Sequence, residues 1–116
     1  MSGFDCSGLV LEILEAAGCG PGRDMTADGL YHYYVDQPGV TKVLGGKGIF
    51  GALAFYGEER YSHVAFCLDD KYCIEAGGGN SKTTDLSSAI RQNAFVRLRP
   101  IRKRKDLNII LRGIVK

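Results

Sequence analysis

The stretch SHVAFCLDDKYCIEA, residues 62–76, decides how the chain is read. Two runs rich in apolar and aromatic residues, Ser62 to Leu68 and Tyr72 to Ala76, flank Asp69-Asp70-Lys71, which reads as the loop of a β-hairpin. A three-residue loop pairs Leu68 with Tyr72, Cys67 with Cys73 and Ala65 with Glu75. Side chains alternate along a strand, so His63, Ala65 and Cys67 share one face with Cys73 and Glu75, while Val64, Phe66 and Leu68 take the other. Glu75 then lies diagonal to His63, within reach of its far ring nitrogen. A two-residue turn would instead send Glu75 to the face opposite His63.

Upstream, Gly3-Phe4-Asp5-Cys6-Ser7-Gly8-Leu9-Val10 places a cysteine at a helix entrance. Asp5 is a favoured N-cap, and Leu9, Val10, Ile13, Leu14 and Ala17 follow at three- and four-residue spacings, predicting one inward face. Gly18 suits the C-cap. Cys6 thus sits in the first turn, where free backbone N–H groups and the helix dipole favour a thiolate and can hold an oxyanion. The same residue also reads as a small buried cysteine.

Gly18-Cys19-Gly20-Pro21-Gly22 marks a turn, and Thr26 is expected to cap a second helix through about Val35, with Leu30, Tyr31, Tyr34 and Val35 on its apolar side. His32, on that helix, reads as a packing or surface residue. Gln37-Pro38-Gly39 ends the helix, and Gly45-Gly46-Lys47-Gly48 reads as a connection, because no Gly-Lys-Ser/Thr ending opens a helix as a phosphate-binding loop requires. Further strands are predicted at Ala52 to Tyr56, Phe95 to Leu98 and Asn108 to Val115. A flexible loop is expected at Gly77-Gly78-Gly79-Asn80 and a short helix from Asp85 to Gln92. Helices first and strands afterwards predict an α+β domain with an antiparallel sheet.

The chain has 116 residues, 45% of them hydrophobic, which suits a single domain over residues 1–116 with one core. No charged-then-apolar leader precedes it, and no apolar run approaches the ~20 residues of a membrane-spanning helix, so neither membrane insertion nor export by its own signal is expected. Its four cysteines, at 6, 19, 67 and 73, form no C-x-x-C or Cys/His clamp. No metal and no cofactor is therefore expected, and all four thiols read as reduced. Residues 97 to 105 carry six cations and no acid, against a balance of −4 elsewhere. Such a strip can meet a polyanion, but more often such a run is a solvated edge strand or loop, and it is read so here. No nucleic-acid partner is expected.

A cysteine at a helix start, a histidine on one strand and a carboxylate on the next form a nucleophile–base–orienter set, here Cys6, His63 and Glu75. The surrounding residues are similar to those of the NlpC-type (NlpC/p-sixty) cell-wall cysteine peptidases. Phe4-Asp5-Cys6-Ser7-Gly8-Leu9-Val10 resembles the nucleophile motif of that family. Ser62-His63-Val64-Ala65-Phe66 resembles its Ser-His-Val-Gly-Ile strand, and Gly51-Ala52-Leu53-Ala54-Phe55-Tyr56 its Gly-Asp-Leu-Val-Phe-Phe strand. The family's third polar residue falls twelve positions after the histidine, which here is Glu75. The resemblance covers residues 3 to 76. It implies a papain-like α+β fold with N-terminal helices on a central sheet. It also implies hydrolysis of amide bonds in peptidoglycan stem peptides, often between D-glutamate and diaminopimelate or lysine. Cys6 would be nucleophile, His63 base and Glu75 orienter, with Asp5, Ser7 and Ser62 at the substrate.

The chain departs from the family in three places. The third position is usually His, Asn or Gln rather than a glutamate, and the Gly-Asp step is Gly51-Ala52. The upstream segment carrying a Tyr and a Trp-Gly-Gly step is absent from a chain that begins almost at the motif, so part of the substrate subsite is expected to be missing or reshaped. A short wall hydrolase without a signal suggests synthesis in the cytoplasm and delivery by lysis, a secretion machine or a phage particle. A non-catalytic wall- or tail-binding module and a thiol acyltransferase are the alternative readings.

Overall fold

The apolar spacing of the first helix and the alternation of the later runs both materialise, on opposite sides of one shared core. The structure, a computed structural model, describes residues 6–43, 47–76, 96–103 and 105–115. Two helices, α1 (Cys6–Ala16) and α2 (Ala27–Tyr34), precede strands β1 (Thr41–Val43), β2 (Leu53–Tyr56), β3 (His63–Cys67), β4 (Tyr72–Ala76), β5 (Val96–Pro100) and β6 (Leu107–Arg112). A 3-10 turn, Ile101–Lys103, separates the last two strands. The strands form one antiparallel sheet in the order β1-β6-β2-β3-β4-β5. This is the expected α+β class. No described helix is long and apolar enough to cross a membrane.

Helix α1 packs Val10, Leu11 and Leu14 against Leu53, Phe55, Val64, Phe66, Ile109 and Leu111, with Leu30 and Tyr34 of α2 completing the cluster. The expected inward set needs one correction: Ala17 is exposed and Leu11 is buried. Ala17 lies beyond the helix end, where the Gly18 N–H donates to the Glu15 carbonyl and the Cys19 N–H to the Leu14 carbonyl, the paired bonds of a glycine-terminated helix. Helix α2 matches its expected limits. The Thr26 hydroxyl accepts from the Gly29 N–H at 3.0 Å and caps it.

The opposite face of the sheet is lined by small residues, Ala52, Ala54, Ala65, Cys67 and Cys73, together with Tyr56 and Ile110. Ile101 closes over them, and its carbonyl accepts the Tyr56 hydroxyl at 2.7 Å. Both faces of β2 and β3 are thereby buried, which makes these two strands the rigid centre of the fold.

Several boundaries differ from expectation, β3 being one residue shorter at each end than Ser62 to Leu68 and β6 starting one residue early, at Leu107. The sheet begins earlier than predicted, at β1, a three-residue edge strand too short to show a period. The last strand stops at Arg112 rather than Val115, because Gly113 adopts φ +97 and turns the chain. β5 extends through Pro100, beyond the predicted Leu98, as an edge strand where proline is tolerated. β2 starts at Leu53, one residue late. The expected cap at Asp5, the connection at Gly45-Gly46, the loop at Gly77-Gly78-Gly79-Asn80, the helix from Asp85 to Gln92 and the start of β5 at Phe95 lie outside the described residues.

Gly57 controls the turn that delivers β3 to the site. Its φ is +139, its N–H donates to the Asp106 carbonyl at 2.9 Å, and a Cβ there would meet the Arg60 carbonyl oxygen at 2.3 Å. Gly22 also has a positive φ of +79, but a Cβ there would meet nothing within 4 Å. Gly22→Ala should therefore cost about 1–2 kcal/mol from backbone conformation alone. Gly57→Ala should cost clearly more, read from urea unfolding midpoints of the two variants.

Candidate active site

The hairpin register fixes the site. Cys67 pairs with Cys73 and Phe66 with Ile74, and the Leu68 N–H donates to the Tyr72 carbonyl at 2.9 Å. Asp69 closes the loop by accepting from the N–H groups of Lys71 and Tyr72, each at 2.8 Å. This is the three-residue loop, and it puts His63 and Glu75 on one face.

His63 Nε2 lies 2.9 Å from Glu75 Oε1, with His63 8% and Glu75 3% exposed. An ionised carboxylate only accepts, so Nε2 carries the proton in this bond and Nδ1 is left for another partner. The first residue of α1 meets the first residue of β3 at the end of the sheet, where the Cys6 thiol lies 3.9 Å from the Ser62 carbonyl oxygen, next to His63. Burial disfavours a charged His63, but the polar interactions of Cys6 and Glu75 with the ring outweigh it, raising its pKa from 6.5 to about 9.

Three neighbours absent from the sequence reading hold this geometry. The Tyr56 ring packs on the imidazole with centroids 5.3 Å apart, as its cross-strand partner. Burial first, and then the nearby Cys73 thiol, keep the Tyr56 hydroxyl protonated well above its ordinary range. Asp28, in the first turn of α2, accepts from the Tyr61 N–H at 3.0 Å, and the Ser62 N–H donates to the Tyr56 carbonyl at 3.0 Å. These bonds fix the chain immediately before His63. Arg99 is the third, its Nη1 donating to Glu75 Oε2 at 3.2 Å. Sequence reading placed Arg99 in a basic run; only the β4–β5 register, with Cys73 opposite Arg99, brings it to the face of Glu75.

Of the remaining predicted residues, Ser62 is exposed beside the thiol and Ser7 is buried in the first turn of α1. Asp5 lies outside the described residues. His32 is a surface residue, as expected, its Nε2 lying 3.3 Å from Asp28 Oδ2 one turn earlier in α2. Among the described residues no group of three or more His, Cys, Asp and Glu side chains is placed to hold a metal ion. All four cysteines are free thiols.

The arrangement can generate a nucleophile next to a proton donor. Burial pushes the Cys67 thiol up to about 12 and the Cys73 thiol up to about 11, and burial also raises that of Cys19. Iodoacetamide at neutral pH should therefore modify Cys6 well before the other three cysteines, as read by peptide mass spectrometry. Equal labelling of Cys19 would contradict an activated Cys6.

His63 also links stability to pH. Its folded-state pKa is raised, so its contribution is complete below about pH 6.5 and is lost as pH rises through about 9. The full span corresponds to about 3 kcal/mol. Wild type should lose unfolding free energy between pH 6.5 and 9.5, and Glu75→Gln should lose less over that interval, because one of the interactions that raises the pKa is gone. Parallel pH profiles for the two proteins would contradict this assignment.

Compared with known proteins, the chain matches no protein-family model, no curated protein and no solved structure.

Proposed function

We propose that the chain is a cysteine peptidase or amidase with a papain-like arrangement, acting on amide bonds of peptidoglycan stem peptides. The observation that carries the chemistry is the buried His63–Glu75 hydrogen bond with the Cys6 thiol beside it at the start of α1. The NlpC-like motifs around Cys6 and His63 support the substrate class.

In this reading the Cys6 thiolate attacks the amide carbonyl, forming a C–S bond and a tetrahedral oxyanion. The Cys6 backbone N–H, at the helix position that has no intrahelical acceptor, faces the developing charge. The protonated His63 then gives its Nδ1 proton to the leaving amine as the C–N bond breaks, leaving a thioester on Cys6. Neutral His63 next takes a proton from water, which attacks the thioester and releases the carboxylic acid and the thiol. Glu75 holds the ring through Nε2 in every step. An amide could orient the ring equally well, but a carboxylate also stabilises the imidazolium.

Two measurements test this proposal. Cys6→Ala should release no new amino groups from purified peptidoglycan, while wild type does. Above neutrality the rate should fall as pH rises through about 9, where His63 loses the proton the leaving amine needs. Iodoacetamide needs no such proton, so labelling of Cys6 should persist there. Amine release by Cys6→Ala equal to wild type would remove the peptidase reading. A wild type that sediments with walls yet releases no amine from any cross-bridge chemistry would favour the binding-module alternative.

A further inference from the structure

Among the described side chains in the run of cations at residues 97–105, Arg99 is the one turned toward the protein interior. Arg99 stands opposite Cys73 in the sheet, so its side chain shares the face of Cys73 and Glu75 and reaches the carboxylate along a diagonal. Its side chain is 25% exposed and that of Glu75 only 4%. The guanidinium therefore keeps one side in water and places the other on a buried anion.

Both carboxylate oxygens are thereby occupied, Oε1 by His63 at 2.9 Å and Oε2 by Arg99 at 3.2 Å. A buried carboxylate needs a compensating charge, and removing one partner of such a pair is costly. His63 cannot serve as that charge throughout turnover, because it must give up its proton to the leaving group. A guanidinium does not deprotonate, so its compensation persists when the imidazole becomes neutral.

We propose that Arg99 is a positioning residue for His63, acting through Glu75: it keeps the buried carboxylate charged and fixed while the imidazole gains and loses its proton. The groups facing His63 are Cys6 from α1, Tyr56 from β2 and Glu75 from β4. Among the described side chains, those facing Glu75 include His63 from β3, Tyr56 from β2, Arg99 from β5 and Cys73 on its own strand; in the backbone pairing its register partner is Arg97. In this set Arg99 limits how strongly Glu75 holds the imidazolium proton. Without the Arg99 charge the carboxylate would act on His63 more strongly, and the ring would become a weaker acid.

The part of this inference that concerns turnover rests on the peptidase reading; the part that concerns His63 titration does not. The experiment follows the His63 ring by nuclear magnetic resonance across pH in the full chain, alongside kcat and KM on a stem peptide. Arg99→Gln should raise the His63 midpoint by about one pH unit and lower kcat about tenfold with little change in KM. Arg99→Lys, which keeps charge but loses the planar fork, should show a smaller shift of the same sign. Arg102→Gln, an exposed cation of the same run, should leave the midpoint within about 0.2 units. An unchanged or lowered midpoint in Arg99→Gln overturns the inference, as does an equal rise in Arg102→Gln. Should Arg99→Gln not fold, the midpoint of Arg99→Lys decides, and an unchanged value overturns the inference. If wild type cleaves no stem peptide, the peptidase proposal fails while the titration still decides the role of Arg99.

Discussion

The 2.9 Å hydrogen bond between His63 and Glu75 is the constraint on which the site depends. It exists because a three-residue loop sets Cys67 opposite Cys73; a slip of one residue would turn every β4 side chain to the other face. It is buried, so the imidazole cannot swing freely and one ring nitrogen is permanently engaged. The start of α1, with Cys6, lies against this end of β3. Sheet register, more than any single side chain, assembles the constellation.

Packing explains why that register is rigid. The helix face of β2 and β3 carries large side chains that meet Val10 and Leu14, while the other face carries alanines and cysteines. Small residues there leave room for the Tyr56 ring to lie beside His63 and for its hydroxyl to reach Ile101 across the sheet. The same burial separates the four thiols by environment. Cys67 and Cys73 are enclosed and held protonated, whereas Cys6 sits partly exposed at a helix start. The chain thus has two cysteines enclosed in packing and one partly exposed at the candidate site.

Much of this was legible in the sequence because the signals are local. The period of α1, the Thr26 cap and the alternation across residues 62–76 each lie within a few residues of what they determine. β1 was not legible, since three residues carry no period and its pairing with β6 spans most of the chain. Arg99 was hidden for a different reason. A charge run shows composition, but which cations turn inward depends on the pairing of β5 with β4, and residues 77–95 separate those strands in sequence. Asp28 and Tyr56 were likewise read as parts of a helix and a strand, because their roles arise from tertiary contacts at the turn before His63.

The central claim is that Cys6 forms a covalent acyl intermediate under the control of His63. Rapid acid quenching of the full chain with a purified stem peptide, followed by intact and peptide mass spectrometry, tests it most directly. The account predicts a thioester adduct of the acyl fragment on Cys6 in wild type, lost in Cys6→Ala and depleted in His63→Ala. Turnover of the peptide with no adduct on Cys6 at any quench time, and with undiminished rate in Cys6→Ala, would contradict it.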